Sequence, residues 1–96
     1  MILDFGDHAT AAVFHGENTK AARRIPPVVW EAARRKLDMV NAAHQLHDLA
    51  VPPGNGLEAL RGRLAGFHSI RINDQFRIIF TWVDGNAKAV RITDYH

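Results

Sequence analysis

The sequence predicts an α+β domain in which an N-terminal strand and helices pack on one face of a mainly antiparallel sheet. Three observations carry this. Val51-Pro52-Pro53-Gly54-Asn55-Gly56 is the strongest turn-forming run in the chain and divides it into two regimes. Before it, apolar residues recur at three- and four-residue steps, the period of a helix face. After it they alternate with polar residues, the period of a strand. With 96 residues there is room for one modest core, and neither half is large enough to fold alone. The division therefore lies inside a single domain spanning 1–96 and acts as a hinge between its halves.

Residues 1–5 read as a short first strand, with Ile2, Leu3 and Phe5 apolar, broken by Gly6 and Asp7. Residues 9–14 are expected as a short helix with Gly16 at its C-terminal cap. Residues 17–24 are polar and carry Lys20, Arg23 and Arg24, so they form a loop that is either an exposed connector or a phosphate-contacting arm. Pro26 and Pro27 open the main helix, since proline suits a first turn whose amides have no partner. Its apolar stripe is Trp30, Ala33, Leu37, Val40 and Asn41. Glu31 with Arg35, and Arg34 with Asp38, are i,i+4 pairs on the wet side, each contributing ~0.2 to 0.5 kcal/mol. Residues 42–49 continue as a second helical piece bearing Leu46 and Leu49. His44 and His47 lie on it three apart, with no third ligand near in sequence, and read as surface histidines rather than a metal site.

Beyond the turn run, strands are expected over 57–61, 68–73, 76–82 and 87–95. A turn at 62–66, a tight connection at Asn73-Asp74-Gln75 and a hairpin turn at Asp84-Gly85-Asn86 join them into a four-strand meander. Phe76, Ile78, Phe80 and Trp82 alternate along the third strand, and Val90 and Ile92 alternate with Arg91 and Thr93 along the fourth. Helices cover one face of such a sheet and leave the other open. The period-two rule places Arg61, Arg77, Arg91 and Tyr95 on that open face.

Composition narrows the chemistry. The absence of cysteine excludes disulfides, thiolate zinc sites and a cysteine nucleophile. No apolar run approaches the ~18 to 20 residues of a membrane span, and the opening Met-Ile-Leu-Asp-Phe lacks the features of a signal peptide, so a cytoplasmic protein is expected. Net charge is only +2, yet nine of the twelve cations are arginine, whose planar fork suits phosphate. That composition leans towards a polyanionic partner.

If the partner is RNA, cleavage without a metal needs three things. A base must take the 2′-hydroxyl proton, an acid must protonate the leaving 5′-oxygen, and cations must hold the charge of the phosphorane. His96 or Glu58 can serve as base, His96 or Tyr95 as acid, and Arg61 and Arg77 can hold the phosphate. A tension follows from strand geometry. Tyr95 and His96 are adjacent and point to opposite faces of a regular strand, and Glu58 has the same problem relative to Arg61.

At these residues the chain resembles the HigB-type toxins of bacterial type II toxin-antitoxin operons, members of the RelE superfamily. The resemblance is carried by Arg34-Arg35-Lys36-Leu37-Asp38-Met39 with Asn41-Ala42-Ala43, and by Val51-Pro52-Pro53-Gly54-Asn55 leading into Leu57-Glu58-Ala59-Leu60. It continues through Gly66 and Ser69-Ile70-Arg71-Ile72-Asn73-Asp74-Gln75-Phe76-Arg77 to Asp94-Tyr95-His96. It implies the small RelE-like fold and a ribosome-dependent, metal-independent and cofactor-free endoribonuclease that cuts mRNA. The implied partners are the ribosome and a HigA-like helix-turn-helix antitoxin, with operator DNA reached only through the antitoxin and no membrane. By position, Arg61 matches the family's basic residue in the strand-turn, Arg77 its phosphate-binding arginine, and Asp94, Tyr95 and His96 its C-terminal catalytic run. Glu58 stands where some relatives have a catalytic histidine, and Arg63 adds a cation where an acid or amide is common. Arg63, Arg71, Arg91, Lys20, Arg23 and Arg24 complete the candidate RNA-contacting set. The alternative implied by Glu58 is a weakly active or inactive homologue that acts mainly as an antitoxin-binding co-regulator of its operon.

Overall fold

Four strands follow one another in chain order to make an antiparallel sheet: β1 (Glu58–Ala59), β2 (Phe67–Arg71), β3 (Phe76–Val83) and β4 (Asn86–Asp94). They belong to a computed structural model that describes residues 1–94. Two helices, α1 (His8–Phe14) and α2 (Trp30–Ala42), cover one face, which is the α+β layering expected from the sequence. None of the helices among the described residues is long and apolar enough to cross a membrane.

The β3–β4 hairpin closes through Asp84 (φ 52°) and Gly85 (φ 79°), the two left-handed residues of a type I′ turn, whose twist matches that of the strands. Asn86 already pairs with Val83. Between β2 and β3, the Asn73 carboxamide oxygen accepts the amides of Gln75 (2.9 Å) and Phe76 (2.7 Å), so the side chain itself makes the turn.

A bulge in β4 was not expected. Ile79 pairs with Arg91 but Thr81 with Lys88, so Ala89 and Val90 both stand opposite Phe80. Ala89 takes the left-handed conformation (φ 52°), and its amide is bound by the Asp4 carboxylate. The extra residue lets Ala87 and Val90, three apart, both face the core.

Residues 1–6 close the free edge of β4 in parallel, with bridges from Ile2 to Ala87 and from Phe5 to Val90. Beyond that ladder the fully buried Thr10 hydroxyl accepts the Ile92 amide at 2.8 Å. The same residue's backbone N–H is capped by Asp7 at 2.8 Å, which starts α1. The helix ends as foreseen at Gly16 (φ 72°): the Gly16 and Glu17 amides return to Val13 and Ala12, satisfying two end carbonyls.

In α2, Ala33, Leu37 and Val40 are fully buried. Two other positions behave differently from the sequence expectation. Asn41 is exposed and binds the Ile2 amide at 2.9 Å, while Arg34 is half-buried and its Nε donates to the Val13 carbonyl at 3.1 Å instead of facing solvent beside Asp38. A carbonyl at the end of α1 offers this guanidinium a fixed partner, which an exposed i,i+4 pair does not. Glu31 and Arg35 do approach, at 3.8 Å, and remain exposed.

The second helical piece is a correction. α2 stops at Ala42, residue 43 is extended, and a 3₁₀ turn runs over Leu46–Ala50. The cause is Asp48, whose carboxylate accepts the His44 (3.0 Å) and Gln45 (2.9 Å) amides that a continuing helix would have used internally. Residues 17–24 are likewise more ordered than a plain loop, because Ala22–Arg24 form a 3₁₀ turn with Ala22 fully buried. The run at 51–56 is pinned through the buried Asn55, so it is packed into the structure and is not a loose joint.

Candidate functional site

Residues paired across neighbouring strands share a face, so the register defines the open side of the sheet. One row there is Arg71–Arg77–Thr93, the next is Glu58–Ser69–Ile79–Arg91, and a third is Phe67–Thr81–Lys88. Such rows lie ~7 Å apart. The intervening positions, such as Ile70, Ile78 and Ile92, point into the helix-covered core. Ile79 is fully buried yet does not belong to that core cluster. Ile79 and its buried β2 partner Ser69 occupy the row between Arg71–Arg77 and Phe67–Thr81.

Arg77 is the centre of this face. Its side chain is only 18% exposed, and Nη1 stands 3.4 Å from the Glu58 carboxylate. Arg71 lies directly opposite Arg77, an unfavourable placement of like charges unless each has a counter-ion. Each has one: Asp74 is 3.0 Å from Arg71, and Glu58 serves Arg77. The result is a pair of arginines held across two strands, with Arg91 one row away, on the side of the sheet away from the α1–α2 core. An oxyanion seated there would meet two guanidinium forks.

A family model described as the RelE-like toxin of type II toxin-antitoxin system HigB matches residues 3–96. The chain belongs to this HigB-like family. It is 45% identical to Toxin HigB-1 of Vibrio cholerae over 87 residues, covering 91% of this chain and 90% of that protein. An uncharacterized protein of Haemophilus influenzae is 39% identical over 59 residues, 62% of this chain and 58% of its own length. Among solved structures, a chain of the YoeB-YefM complex from Staphylococcus aureus shares the fold with a TM-score of 0.61. That match covers 100% of this chain and 98% of the other at 16% identity.

Within the HigB-like toxin the remaining candidate residues separate. Glu58 pairs with Ser69 and so shares the face of Arg77. Its conflict with Arg61 disappears because β1 ends at Ala59 and the chain turns at Arg61, the cap of the 3₁₀ turn Gly62–Leu64, where alternation no longer applies. Arg61 and Arg63 are exposed on this β1–β2 connection, beside the Phe67 end of β2. Arg77 lies against the Arg71 end, four residues or ~13 Å along the strand. Arg71, and not Arg61, is therefore the cross-strand neighbour of Arg77.

Asp94 pairs with Phe76 and so belongs to the opposite side of β4 from Thr93; its carboxylate accepts from Gln75 Nε2 at 3.2 Å. Tyr95 and His96 lie outside the described residues. Lys20, Arg23 and Arg24 are on the helical layer, where the neighbouring Ala22 and Ile25 anchor in the core and Arg23 is bound by Asn18 at 2.9 Å. They do not join the open-face arginines. His68 pairs with Phe80 and faces the helices, its ring stacked 6.3 Å from that phenyl, with Nδ1 buried and lacking a hydrogen-bond partner among the described residues. Among those residues no three His, Cys, Asp or Glu side chains converge as a metal site.

Sequence reasoning missed the Arg71–Arg77 adjacency, although the tight Asn73-Asp74-Gln75 turn between them was a usable signal. Counting outward from a short turn fixes cross-strand partners. It also missed Asn55, which reads as a turn residue and is in fact fully buried.

Proposed function

We propose that this HigB-like toxin is a metal-independent endoribonuclease that cuts mRNA on the ribosome and so inhibits translation. The observation that carries the reading is the Arg71–Arg77 pair facing across β2 and β3 on the side of the sheet away from the helical core. A scissile phosphate seated on Arg77 takes the place of Glu58 and leaves that carboxylate beside the reacting group. Glu58 then accepts the 2′-hydroxyl proton as the 2′-oxygen attacks phosphorus. The bond from phosphorus to the 5′-oxygen breaks, and Tyr95 or His96, assigned from the sequence, returns a proton to the leaving oxygen. The products are a 2′,3′-cyclic phosphate and a 5′-hydroxyl. Arg77 stabilises the charge that accumulates on the phosphorane oxygens, and Arg71 helps to seat the phosphate equally in the ground and transition states.

The described surface has no enclosed cavity to orient a flexible RNA strand. The ribosome supplies that orientation by presenting a bent, immobilised codon, which removes much of the entropic part of the barrier. A HigA-like helix-turn-helix antitoxin neutralises the toxin in the cytoplasm, and the pair contacts operator DNA through the antitoxin. This partnership is supported by membership of a toxin-antitoxin family.

A second reading has one observation in its favour: Glu58 engages Arg77 at rest, as expected of a homologue with attenuated catalysis that serves as the antitoxin's co-regulator. Primer extension on mRNA bound to programmed ribosomes separates the two. Clean 3′-truncated products at codons, lost in Arg77→Ala, eliminate the co-regulator reading. Absence of cleavage by the wild-type toxin overturns the nuclease.

A further inference from the structure

We infer that Asn55 and Gly56 form a positioning element that sets the side chain of Arg71 and hence the geometry of the arginine pair. The consequence for catalysis rests on the nuclease reading, while the geometry does not.

Asn55 is fully buried and uses its whole carboxamide. Nδ2 donates to the carbonyls of Leu49 (3.1 Å) and Val51 (3.4 Å), and Oδ1 accepts from Lys36 Nζ of α2 at 2.6 Å. Donors and acceptor all have partners, so the amide has a single orientation and the backbone after it a single starting point. The next residue, Gly56, is left-handed (φ 55°, ψ 45°) and ends the 3₁₀ turn Pro53–Asn55. A Cβ built on it would lie 3.2 Å from Cδ and 3.5 Å from Cγ of Arg71. The methylene stem of Arg71 therefore runs along bare glycine backbone, while its guanidinium is held by Asp74 at 3.0 Å. Stem and head meet separate contacts, the stem against Gly56 and the head in a surface ion pair that constrains it only weakly. An arginine facing another arginine has both rotamer entropy and charge repulsion working against a single pose, and this cradle offsets them before any anion arrives.

The arrangement links α2 to the open face through the series Lys36, Asn55, Gly56, Arg71. Glycine serves two purposes at position 56, and they can be separated. Asparagine tolerates the left-handed backbone but brings a Cβ. Gly56→Asn thus keeps the turn and displaces Arg71, whose flexible stem yields more readily than the fold.

The test compares Gly56→Asn, Arg71→Ala and the double variant with wild type. The displacement is read from the Arg71 Nε–Hε resonance of the free protein, and function from cleavage of mRNA on programmed ribosomes. Gly56→Asn should shift the resonance and raise KM about tenfold, the size of one charge-assisted hydrogen bond, with kcat within about twofold. In the Arg71→Ala background the same substitution should add nothing, because its target is gone. An unshifted resonance overturns the positioning role whatever the protein does to RNA. A shifted resonance with unchanged KM, while Arg71→Ala raises KM, overturns its functional consequence alone. A wild-type toxin that cuts no mRNA overturns the nuclease reading, and the resonance still decides the geometry.

Discussion

Arg77→Gln should separate catalysis from stability more sharply than any other change in the molecule. Glutamine keeps part of the buried stem and removes the fork. The ion pair it abolishes joins a side chain that is 18% exposed to a carboxylate that is 51% exposed, so solvent screening limits its contribution to about 1 kcal/mol or less. Loss of one of two opposed arginines returns a few tenths of a kcal/mol, roughly, in the other direction. From these two described contacts the net change is about 1 kcal/mol or less, which for a domain of this size moves Tm by up to ~8 °C. If Arg77 holds the phosphorane, its removal costs ~10² to 10³ in kcat, equivalent to ~2.7 to 4 kcal/mol in the transition state. Single-turnover cleavage on programmed ribosomes and a thermal melt of the same preparation measure both quantities. A rate within tenfold of wild type refutes the assignment. So does a rate loss that tracks a melting shift well beyond 10 °C, since Arg77 would then be structural.

Other substitutions probe the neighbouring groups. Glu58→Gln should lower kcat by ~10²-fold while RNA binding holds or tightens, because a base is lost together with a competing anion; an unchanged rate shows that Glu58 only occupies Arg77 at rest. Thr10→Val keeps the shape of the side chain but leaves the buried Ile92 amide without its acceptor, which should cost ~1 to 3 kcal/mol in a denaturant titration. Asp48 is held below the ordinary aspartate value by the Gln45 and His44 amides that donate to it. A depressed folded-state pKa gives stability that is complete above the unfolded value and is lost as pH falls through the folded one. Wild type and Asp48→Ala should therefore differ in melting temperature at neutral pH and converge in strong acid.

What could be read from the chain alone was whatever local pattern controls. Phe76, Ile78 and Phe80 marked a strand because a one-sided core demands alternation, and Gly16 marked a helix end because the αL cap favours glycine. The misreadings came from side chains that bind main chain elsewhere. Asp48 diverts the His44 and Gln45 amides and ends a helix whose apolar period continues. Asp4 stabilises a bulge 85 residues away, for which Ala89-Val90, two adjacent apolar residues breaking the alternation, was the only local trace. Arg34 looked like half of a surface pair and instead binds Val13. At the site, the identities of Arg77 and Glu58 were legible, but their contact was not. It depends on β1 being two residues long, which decides where alternation stops and which arginine becomes the neighbour of Arg77.

The parallel contact between the first residues and β4 also bears on how the molecule assembles. β2, β3 and β4 are joined by short turns and can pair through local encounters, whereas the Ile92–Thr10 bond spans 82 residues and closes nearly the whole chain into a loop. Entropic cost grows only logarithmically with loop length, but rate falls as contacts become more distant, so this edge is expected to zip last. Until it does, β4 presents unpaired amides to any other strand that approaches. The arginine face is thus carried on an early-forming meander whose outer edge is sealed late, and clipping residues 1–6 should yield a toxin prone to self-association even though no residue of its proposed site has been touched.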